Sequence, residues 1–140
     1  MSYWRLFFHF VWTTKRRDPL LTPDIELRVH GMLRKEANDM GARLCFVNGM
    51  PDHIHMLAAV PPTIALSDFA KQVKGASSRF VTVQFDRAFD WQNSFAVFSV
   101  SENNVPHVRN YILNQKPHHA QNTLEAEWEK FAEDIYNAQS

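Results

Sequence analysis

The chain has 140 residues, of which 45% are hydrophobic and 21% are charged. This composition predicts one compact domain and excludes a largely disordered chain. Fifteen basic residues balance fifteen acidic ones, so the totals do not indicate a strongly basic nucleic-acid binder. Five of the acidic residues follow residue 120, which leaves fourteen basic and ten acidic residues before it. The body of the chain is therefore mildly basic and its tail acidic.

The sequence contains no signal for secretion or for a membrane. Its single cysteine, Cys45, cannot form an internal disulfide, and the first residues are an aromatic run rather than a leader with a basic start. No apolar stretch approaches the roughly 20 residues that a membrane-spanning helix needs. We therefore expect a cytoplasmic protein without a membrane partner.

The first half of the chain predicts a strand, a helix and a hairpin. Residues 3–14 place apolar side chains on both faces, which is typical of a central strand. A Thr-Pro pair at 22–23 predicts the start of a helix that ends at Gly41. Residues 42–48 and 53–60 are predicted strands joined by the turn-forming sequence GMPD, which indicates a β-hairpin.

The second half predicts a helix, a strand and two more helices. Ser67 begins a helix with an apolar stripe, residues 95–100 form a strand, and a third helix runs from Asn104 to Gln115. Thr123 caps a last helix. The whole order predicts an α+β ferredoxin-like sandwich (βαββαβ) with a four-stranded antiparallel sheet and added C-terminal helices. Both crossover helices then cover one face of the sheet, which leaves the other face for a functional site.

Two pairs of polar residues stand at spacings that bring their side chains together. His53 and His55 lie two apart on a strand, so both imidazoles project from one face and can converge on one metal ion. Tyr111 and Gln115 lie four apart on a predicted helix, which places a nucleophilic hydroxyl beside an amide oxygen ligand. The alternative is structural: hydrogen-bonded strand histidines, a solvated glutamine and a tyrosine at the rim of the core.

The residues around both pairs resemble one known family. The sequence PDHIH at 51–55 is similar to the His-hydrophobe-His motif of single-tyrosine DNA transposases of the insertion sequence 200/605 family and their REP-associated relatives. The sequence YILNQ at 111–115 resembles the nucleophile helix of that family. The runs FVWTTKRR at 10–17 and FSVS at 98–101, and the histidine pair at 118–119, extend the resemblance over nearly the whole chain.

This resemblance implies a metal-dependent endonuclease and strand transferase that acts on single-stranded DNA near imperfect hairpins. Tyr111 would attack the scissile phosphate and form a covalent 5′-phosphotyrosine, without a nucleotide cofactor because the bond energy is conserved. His53, His55 and Gln115 would hold a divalent ion, for which the amide oxygen and the family both favour Mg2+ or Mn2+. When it acts on DNA, the protein would be associated with the nucleoid.

Six basic residues are candidates for contacts with DNA phosphates, although each alone is typical of a solvated surface charge: Lys15, Arg16, Arg17, Lys71, Lys74 and Arg79. No evident general base adjoins Tyr111 in the sequence, and His107, one turn earlier on the predicted helix, is the nearest candidate. His118 and His119 are left out of the predicted metal site because Pro117 disfavours a straight helix there.

Three other functions stay open at this point. One is a domesticated relative that binds DNA or RNA hairpins without cutting them. Another is a zinc hydrolase in which His118 or His119 joins the pair His53 and His55. The third is a single-tyrosine replication initiator, which uses similar histidine and tyrosine motifs.

The tyrosine is also predicted to come from a second chain. From His55 to the end of its strand is about 17 Å at roughly 3.3 Å per residue, whereas the following helix returns only about 10 Å before it reaches Tyr111. This mismatch and the family resemblance together predict a homodimer whose sites are composite.

Overall fold

A four-stranded sheet lies at the centre of the computed structural model, in which residues 2–121, 123–124 and 128–129 are described. The strands are β1 (Phe7–Thr13), β2 (Arg43–Met50), β3 (His53–Ala59) and β4 (Ala96–Val100). Their order across the sheet is β2-β3-β1-β4, and every neighbouring pair is antiparallel. This confirms the predicted α+β ferredoxin-like sandwich.

The two crossover helices are α1 (Pro23–Asp39) and α2 (Leu66–Phe85). Pro23 stands in the first turn of α1, as predicted, where its missing N–H leaves no hydrogen bond unmade. After α1 the chain turns at Gly41, whose φ of +88° favours glycine. The helix α2 begins at Leu66, one residue before the predicted cap.

The side chains of the sheet alternate between two layers. Phe10, Ile54 and Met56 point toward α1 and α2 and are fully buried in the main core. Their sequence neighbours on β1 and β3 point to the opposite face. On that second face, Phe7 and Leu57 form a smaller core with residues of the C-terminal helices.

The second face is covered by α3 (Val105–Leu113) and α4 (Gln115–Gln121). The single helix predicted over 104–115 is therefore two helices, because the backbone of Asn114 (φ −105°, ψ 26°) is not helical. The break accommodates Pro117, which falls in the first turn of α4, where an N–H has no partner within the helix. The last predicted helix, after Thr123, lies mostly outside the described residues.

The first strand is shorter than the aromatic run at the start of the sequence. Residues 3–6 precede β1, and Tyr3 is 88% exposed. No helix within the described part of the chain is both long and apolar enough to cross a bilayer.

Candidate active site

His53 and His55 lie at the start of β3 on the face that α3 and α4 cover. Both side chains are fully buried, and their ring centroids are 5.2 Å apart. Ile54 between them points into the main core on the other face. This is the same-face placement that a spacing of two on a strand predicts.

Each imidazole is held through its Nδ1 atom by a different neighbour. Nδ1 of His53 lies 2.7 Å from Oδ1 of Asp52, and Oδ2 of Asp52 accepts a 3.2 Å hydrogen bond from Nε of Arg17. Nδ1 of His55 lies 2.9 Å from Nε2 of His9, a buried residue of β1. Partners at Nδ1 leave both Nε2 atoms for a metal ion, which is how proteins commonly orient metal-binding histidines.

The carboxylate of Glu129 lies against both Nε2 atoms. Its Oε1 is 3.0 Å from Nε2 of His55, and its Oε2 is 3.4 Å from Nε2 of His53. Oε1 is also 3.6 Å from Nε2 of His119. His53, His55 and Glu129 each offer one ligand atom, and these atoms lie within 4.8 Å of one another. The fold thus brings a residue of the acidic tail into the predicted metal site.

Burial and the neighbouring carboxylates shift the pKa values of His53 and His55 in opposite directions. Burial alone would lower the pKa of His53, but its interactions with Asp52 and Glu129 outweigh burial and raise that pKa to about 9. At His55 burial prevails and lowers the pKa. Burial would raise the pKa of Glu129, but the two imidazoles hold it well below its usual range. Without a metal ion, the cluster is therefore an ion pair of Glu129 with protonated His53.

Tyr111 lies on α3 with its ring against His55, the two ring centroids being 5.6 Å apart. Its hydroxyl donates a 2.7 Å hydrogen bond to Oε1 of Glu129. The phenol also stacks on His118 at 4.9 Å between centroids, and the residue is only 3% exposed. The carboxylate of Glu129 is thus a basic group in contact with the hydroxyl, whereas the sequence offered only His107 as a candidate.

Gln115 begins α4 and is fully buried. Its Nε2 donates a 3.4 Å hydrogen bond to the carbonyl oxygen of Tyr111. Its Oε1, like the Nε2 atoms of His53 and His55, is buried without a hydrogen-bond partner in the described part of the chain. Such atoms are costly to bury unless a ligand satisfies them. Imidazole nitrogens together with amide and carboxylate oxygens fit a divalent cation.

Tyr111 and the histidines meet within one chain, which contradicts the reach estimate made from the sequence. Val100 at the end of β4 and Ala59 at the end of β3 both pair with Phe7, so they lie level in the sheet. From that level to His55 is about 13 Å at 3.3 Å per residue. The helix returns about 10 Å, and the long tyrosine side chain spans the rest. The estimate from the sequence had counted to residue 60 instead of Ala59, and it had not included the length of the tyrosine side chain.

Side chains of β2 and α1 form hydrogen bonds with residues on either side of the break between α3 and α4 in the same chain. Nδ2 of Asn48 donates a 3.1 Å hydrogen bond to the carbonyl oxygen of Leu113. Nζ of Lys116 lies 2.6 Å from Oε1 of Glu26 on α1. Because the break separates the predicted nucleophile from the predicted amide ligand, these contacts set the positions of both.

The predicted DNA-contacting cations fall into two groups. Lys15–Arg17 form a 3-10 turn directly after β1, beside the start of β3, where Thr13 pairs with His53. Lys71 and Arg79 are exposed on α2, on the opposite side of the sheet. One end of the sheet therefore lies between the two groups, and they do not form a single basic surface.

Lys74 does not present its charge to solvent, which corrects its prediction as a phosphate contact. The residue is 8% exposed, and its Nζ donates hydrogen bonds to the carbonyl oxygens of Gln92 and Ser94. Burial lowers its pKa to about 8. Through these hydrogen bonds the ammonium group connects the segment before β4 with α2. The buried face of α2 is therefore wider than the apolar stripe that the sequence predicts.

Sequence reasoning missed two members of the cluster, the buried His9 and the partly buried Glu129. For His9 a signal existed, since it alternates with Phe7 and Val11 on one face of a predicted central strand. Glu129 had no such signal, because no local spacing relates it to Tyr111, 18 residues earlier.

Comparison with known proteins gives relatives over most of the chain. Residues 2–115 match the family of IS200-like transposases. The ISDra2 transposase TnpA of Deinococcus radiodurans is 30% identical over 119 residues, which cover 80% of this chain and 85% of the relative. The transposase for insertion sequence element IS200 of Salmonella typhimurium is 29% identical over 119 residues, which cover 80% of this chain and 78% of that protein.

Solved structures agree with this assignment. A crystal structure of a Deinococcus radiodurans R1 transposase has a TM-score of 0.67 at 30% identity and covers 82% of this chain and 95% of its own. A REP-associated tyrosine transposase bound to a REP hairpin has a TM-score of 0.63 at 19% identity and covers 85% and 74%, which shows a shared fold. The resemblance read from the motifs is thus confirmed, and the chain belongs to the IS200-like transposase family.

Proposed function

We propose that this transposase cuts and rejoins single-stranded DNA with Tyr111 as the nucleophile and a divalent ion held by His53, His55 and Gln115. One observation carries the proposal: the hydroxyl of Tyr111 and the Nε2 atoms of both histidines all contact one carboxylate, so they surround one small space. A purely structural role accounts poorly for this cluster, because apolar side chains of similar volume would stabilise a core at least as well.

In the metal-bound protein, neutral imidazoles of His53 and His55 would present their Nε2 atoms to the ion. When bound, Mg2+ or Mn2+ polarises the scissile phosphate and offsets the charge that develops on it. Asp52 and His9 orient the two imidazoles through Nδ1. Gln115, fully buried at the start of α4, contributes an amide oxygen that favours these ions over softer metals.

Tyr111 then forms and releases a covalent bond to DNA. Its Oη attacks the phosphorus, a Tyr–O–P bond forms, and the bond from phosphorus to the 3′ oxygen breaks. The phenol loses its proton, the departing 3′ oxygen gains one, and the 5′ phosphate stays on the tyrosine. Because the ester conserves the bond energy, a 3′-hydroxyl can reverse the reaction on another strand without a nucleotide cofactor.

The proposed substrate is a DNA strand with a hairpin beside the cleavage site, as the relative named for its REP hairpin suggests. Exposed cations on α2 and in the turn after β1 support this. Lys71 and Asp90 line one cleft of about 430 Å3, and the backbone N–H of Lys15 donates to the carbonyl oxygen of Asp90. The stem would lie along Lys71 and Arg79 on α2, and the single strand would pass Lys15–Arg17 toward the site.

Replacement of the nucleophile tests the proposal. Tyr111→Phe removes the hydroxyl and keeps the buried ring, so it should abolish cleavage and the covalent DNA adduct while hairpin affinity changes only a few-fold. Denaturing gels with labelled end DNA detect the adduct, and band shifts measure the affinity. The wild type in EDTA should also lose cleavage and keep the hairpin bound.

Two outcomes would contradict the proposal. An adduct that persists in Tyr111→Phe would show that another residue is the nucleophile. Hairpin binding by the wild type without any cleavage in Mg2+ or Mn2+ would instead support a domesticated, non-cutting hairpin-binding protein of the same fold.

A further inference from the structure

Glu129 has a role in this site that neither the motifs nor the family resemblance assigns. Its side chain is 12% exposed and comes from the segment after α4. It contacts Nε2 of His55 at 3.0 Å, Nε2 of His53 at 3.4 Å and the hydroxyl of Tyr111 at 2.7 Å. A carboxylate enclosed in this way faces the same space as the proposed metal ligands.

The distances between these atoms are those expected between neighbouring ligands of one ion. In octahedral coordination with bonds of about 2.1 Å, adjacent ligand atoms lie about 3 Å apart. The separations of 3.0 and 3.4 Å agree with this value. In the absence of an ion these contacts are ion-pair contacts, and neither Nε2 atom has a hydrogen-bond partner of good geometry among the described residues.

We propose that Glu129 is a further ligand of the metal ion, beside His53, His55 and Gln115. This inference rests on the metal site of the proposed function and deepens it. The carboxylate supplies the negative charge that two neutral imidazoles and an amide lack. It also shifts the preference of the site from zinc, which imidazoles favour, toward Mg2+ and Mn2+.

The same oxygen connects the ion with the nucleophile. Oε1 of Glu129, which faces His55, also accepts the hydrogen bond of Tyr111. Nε2 of His119 lies 3.6 Å from this oxygen. The ligand therefore positions the hydroxyl of Tyr111 at the edge of the coordination sphere, where a scissile phosphate would meet it.

Metal binding to the full chain, measured without DNA, tests the inference. The protein is stripped with EDTA and desalted, and its affinity for Mn2+ is measured from the electron paramagnetic resonance signal of the free ion. Glu129→Gln keeps the size of the side chain and removes its charge. We expect it to weaken Mn2+ binding at least about tenfold and to weaken Zn2+ binding less, because the imidazoles remain.

Matched variants separate this role from others. Glu102→Gln changes an exposed glutamate, paired with Arg5 in the turn before α3, and should bind Mn2+ like the wild type. His53→Ala should abolish Mn2+ binding. Thermal melts in EDTA report whether each variant is folded, and Glu129→Ala, with the same expected loss of affinity, replaces Glu129→Gln if that variant does not fold.

The outcomes distinguish the inference from the proposed function. If His53→Ala loses Mn2+ binding while the folded Glu129 variant binds as tightly as the wild type, Glu129 is not a ligand and the proposed metal site stands. If the wild type binds neither ion, the metal site itself fails.

Discussion

His53 and His55 depend on two side chains that are not themselves proposed ligands. Asp52 contacts Nδ1 of His53, and His9 contacts Nδ1 of His55. A histidine that binds metal through Nε2 carries its proton on Nδ1, so each partner fixes the tautomer and the orientation of the ring. Burial lowers the pKa of His9 well below its ordinary value, which keeps this imidazole neutral and able to accept that proton in a hydrogen bond.

The role of His9 leads to the first prediction. His9→Phe keeps a buried ring on β1 and removes the acceptor for Nδ1 of His55, so Mn2+ affinity should fall about 10- to 100-fold. Titration with Mn2+ measures the loss. His30→Phe, the same replacement at a buried histidine of α1, serves as the control and should leave Mn2+ affinity unchanged. Equal Mn2+ affinities of His9→Phe and the wild type would refute the role of His9.

The pKa of His53 predicts how stability and metal binding depend on pH. In the metal-free protein this pKa is about 9, above its ordinary value of 6.5, because Asp52 and Glu129 outweigh the effect of burial. The resulting stabilisation is complete below about pH 6.5 and is lost as the pH rises through 9. The free energy of unfolding in EDTA should therefore fall from about pH 6.5 to 8. Above about pH 8 the titration of Lys74, whose pKa burial lowers to about 8, acts in the opposite direction. Mn2+ affinity should rise with pH because the ligand must be unprotonated.

Urea unfolding in EDTA between pH 6.5 and 8 checks this second prediction. Asp52→Asn removes one of the two carboxylates beside His53, so its stability should change less over the same interval. A wild-type stability that does not fall between pH 6.5 and 8 would show that His53 is not protonated at neutral pH.

At the scale of the elements, the β2–β3 hairpin holds the first histidine in place through a close backbone contact. Gly49 on β2 pairs with Ile54 on β3. A Cβ atom at Gly49 would lie 2.2 Å from the carbonyl oxygen of His53 and 2.8 Å from Cα of Ile54. Since these are backbone atoms, a side chain at this position can be accommodated only if the start of β3 moves.

Gly49→Ala should therefore cost roughly 1–3 kcal/mol of stability, the usual range for overpacking, and should weaken Mn2+ binding by displacing His53. Gly31→Ala is the control, because Gly31 is an exposed residue of α1 with open space around it. That control should stabilise the protein by about 0.5–1 kcal/mol. Chemical denaturation measures both changes, and a Gly49→Ala protein as stable as the wild type would contradict the close contact.

At the scale of the whole molecule, the two faces of the sheet differ: one packs against the main core, and the other carries the candidate active site. The helices α1 and α2 cover one face and form the main core. The other face carries His9, His53 and His55 beneath α3 and α4. Exchange of these C-terminal helices between two chains would leave the main core intact, so a homodimer with composite sites stays a prediction even though one chain can bring Tyr111 to His55.

Mixed dimers distinguish sites built within one chain from sites built between two. His53→Ala and Tyr111→Phe are each expected to be inactive. If the tyrosine helix is exchanged, one site of a co-expressed heterodimer combines the intact histidines of one chain with the intact tyrosine of the other. Such heterodimers, purified through two different tags, should then regain about half of the wild-type cleavage per dimer, as one of the two sites is whole.

The opposite result would place each site within a single chain. Inactive heterodimers beside active wild-type dimers, or a wild-type protein that cleaves as a monomer in sedimentation at assay concentration, would refute composite sites. The contacts of Asn48 with Leu113 and of Lys116 with Glu26 would then be what holds the tyrosine helix on its own sheet.

Features that depend on a few consecutive residues could be predicted from the sequence. Alternation and the turn at 49–52 predicted the hairpin, and the Thr-Pro pair predicted the start of α1. The spacing of two between His53 and His55 predicted their shared face. The position of the break at Asn114 was not predicted, although Pro117 had indicated that a straight helix is disfavoured there. In the structure, Asn48 on β2 donates a hydrogen bond to the carbonyl oxygen of Leu113 at this break.

The sequence by itself determined the order of the elements and the local pairs of candidate residues, since backbone geometry alone sets which neighbours share a face. Only the tertiary structure decided which distant residues join them. His9 reaches His55 across 46 residues because β1 and β3 pair, and Glu129 contacts Tyr111 because residues 128–129 lie against the second face. Lys74 is buried because the segment before β4 packs on α2. Such contacts depend on packing between elements, which local periodicity does not encode.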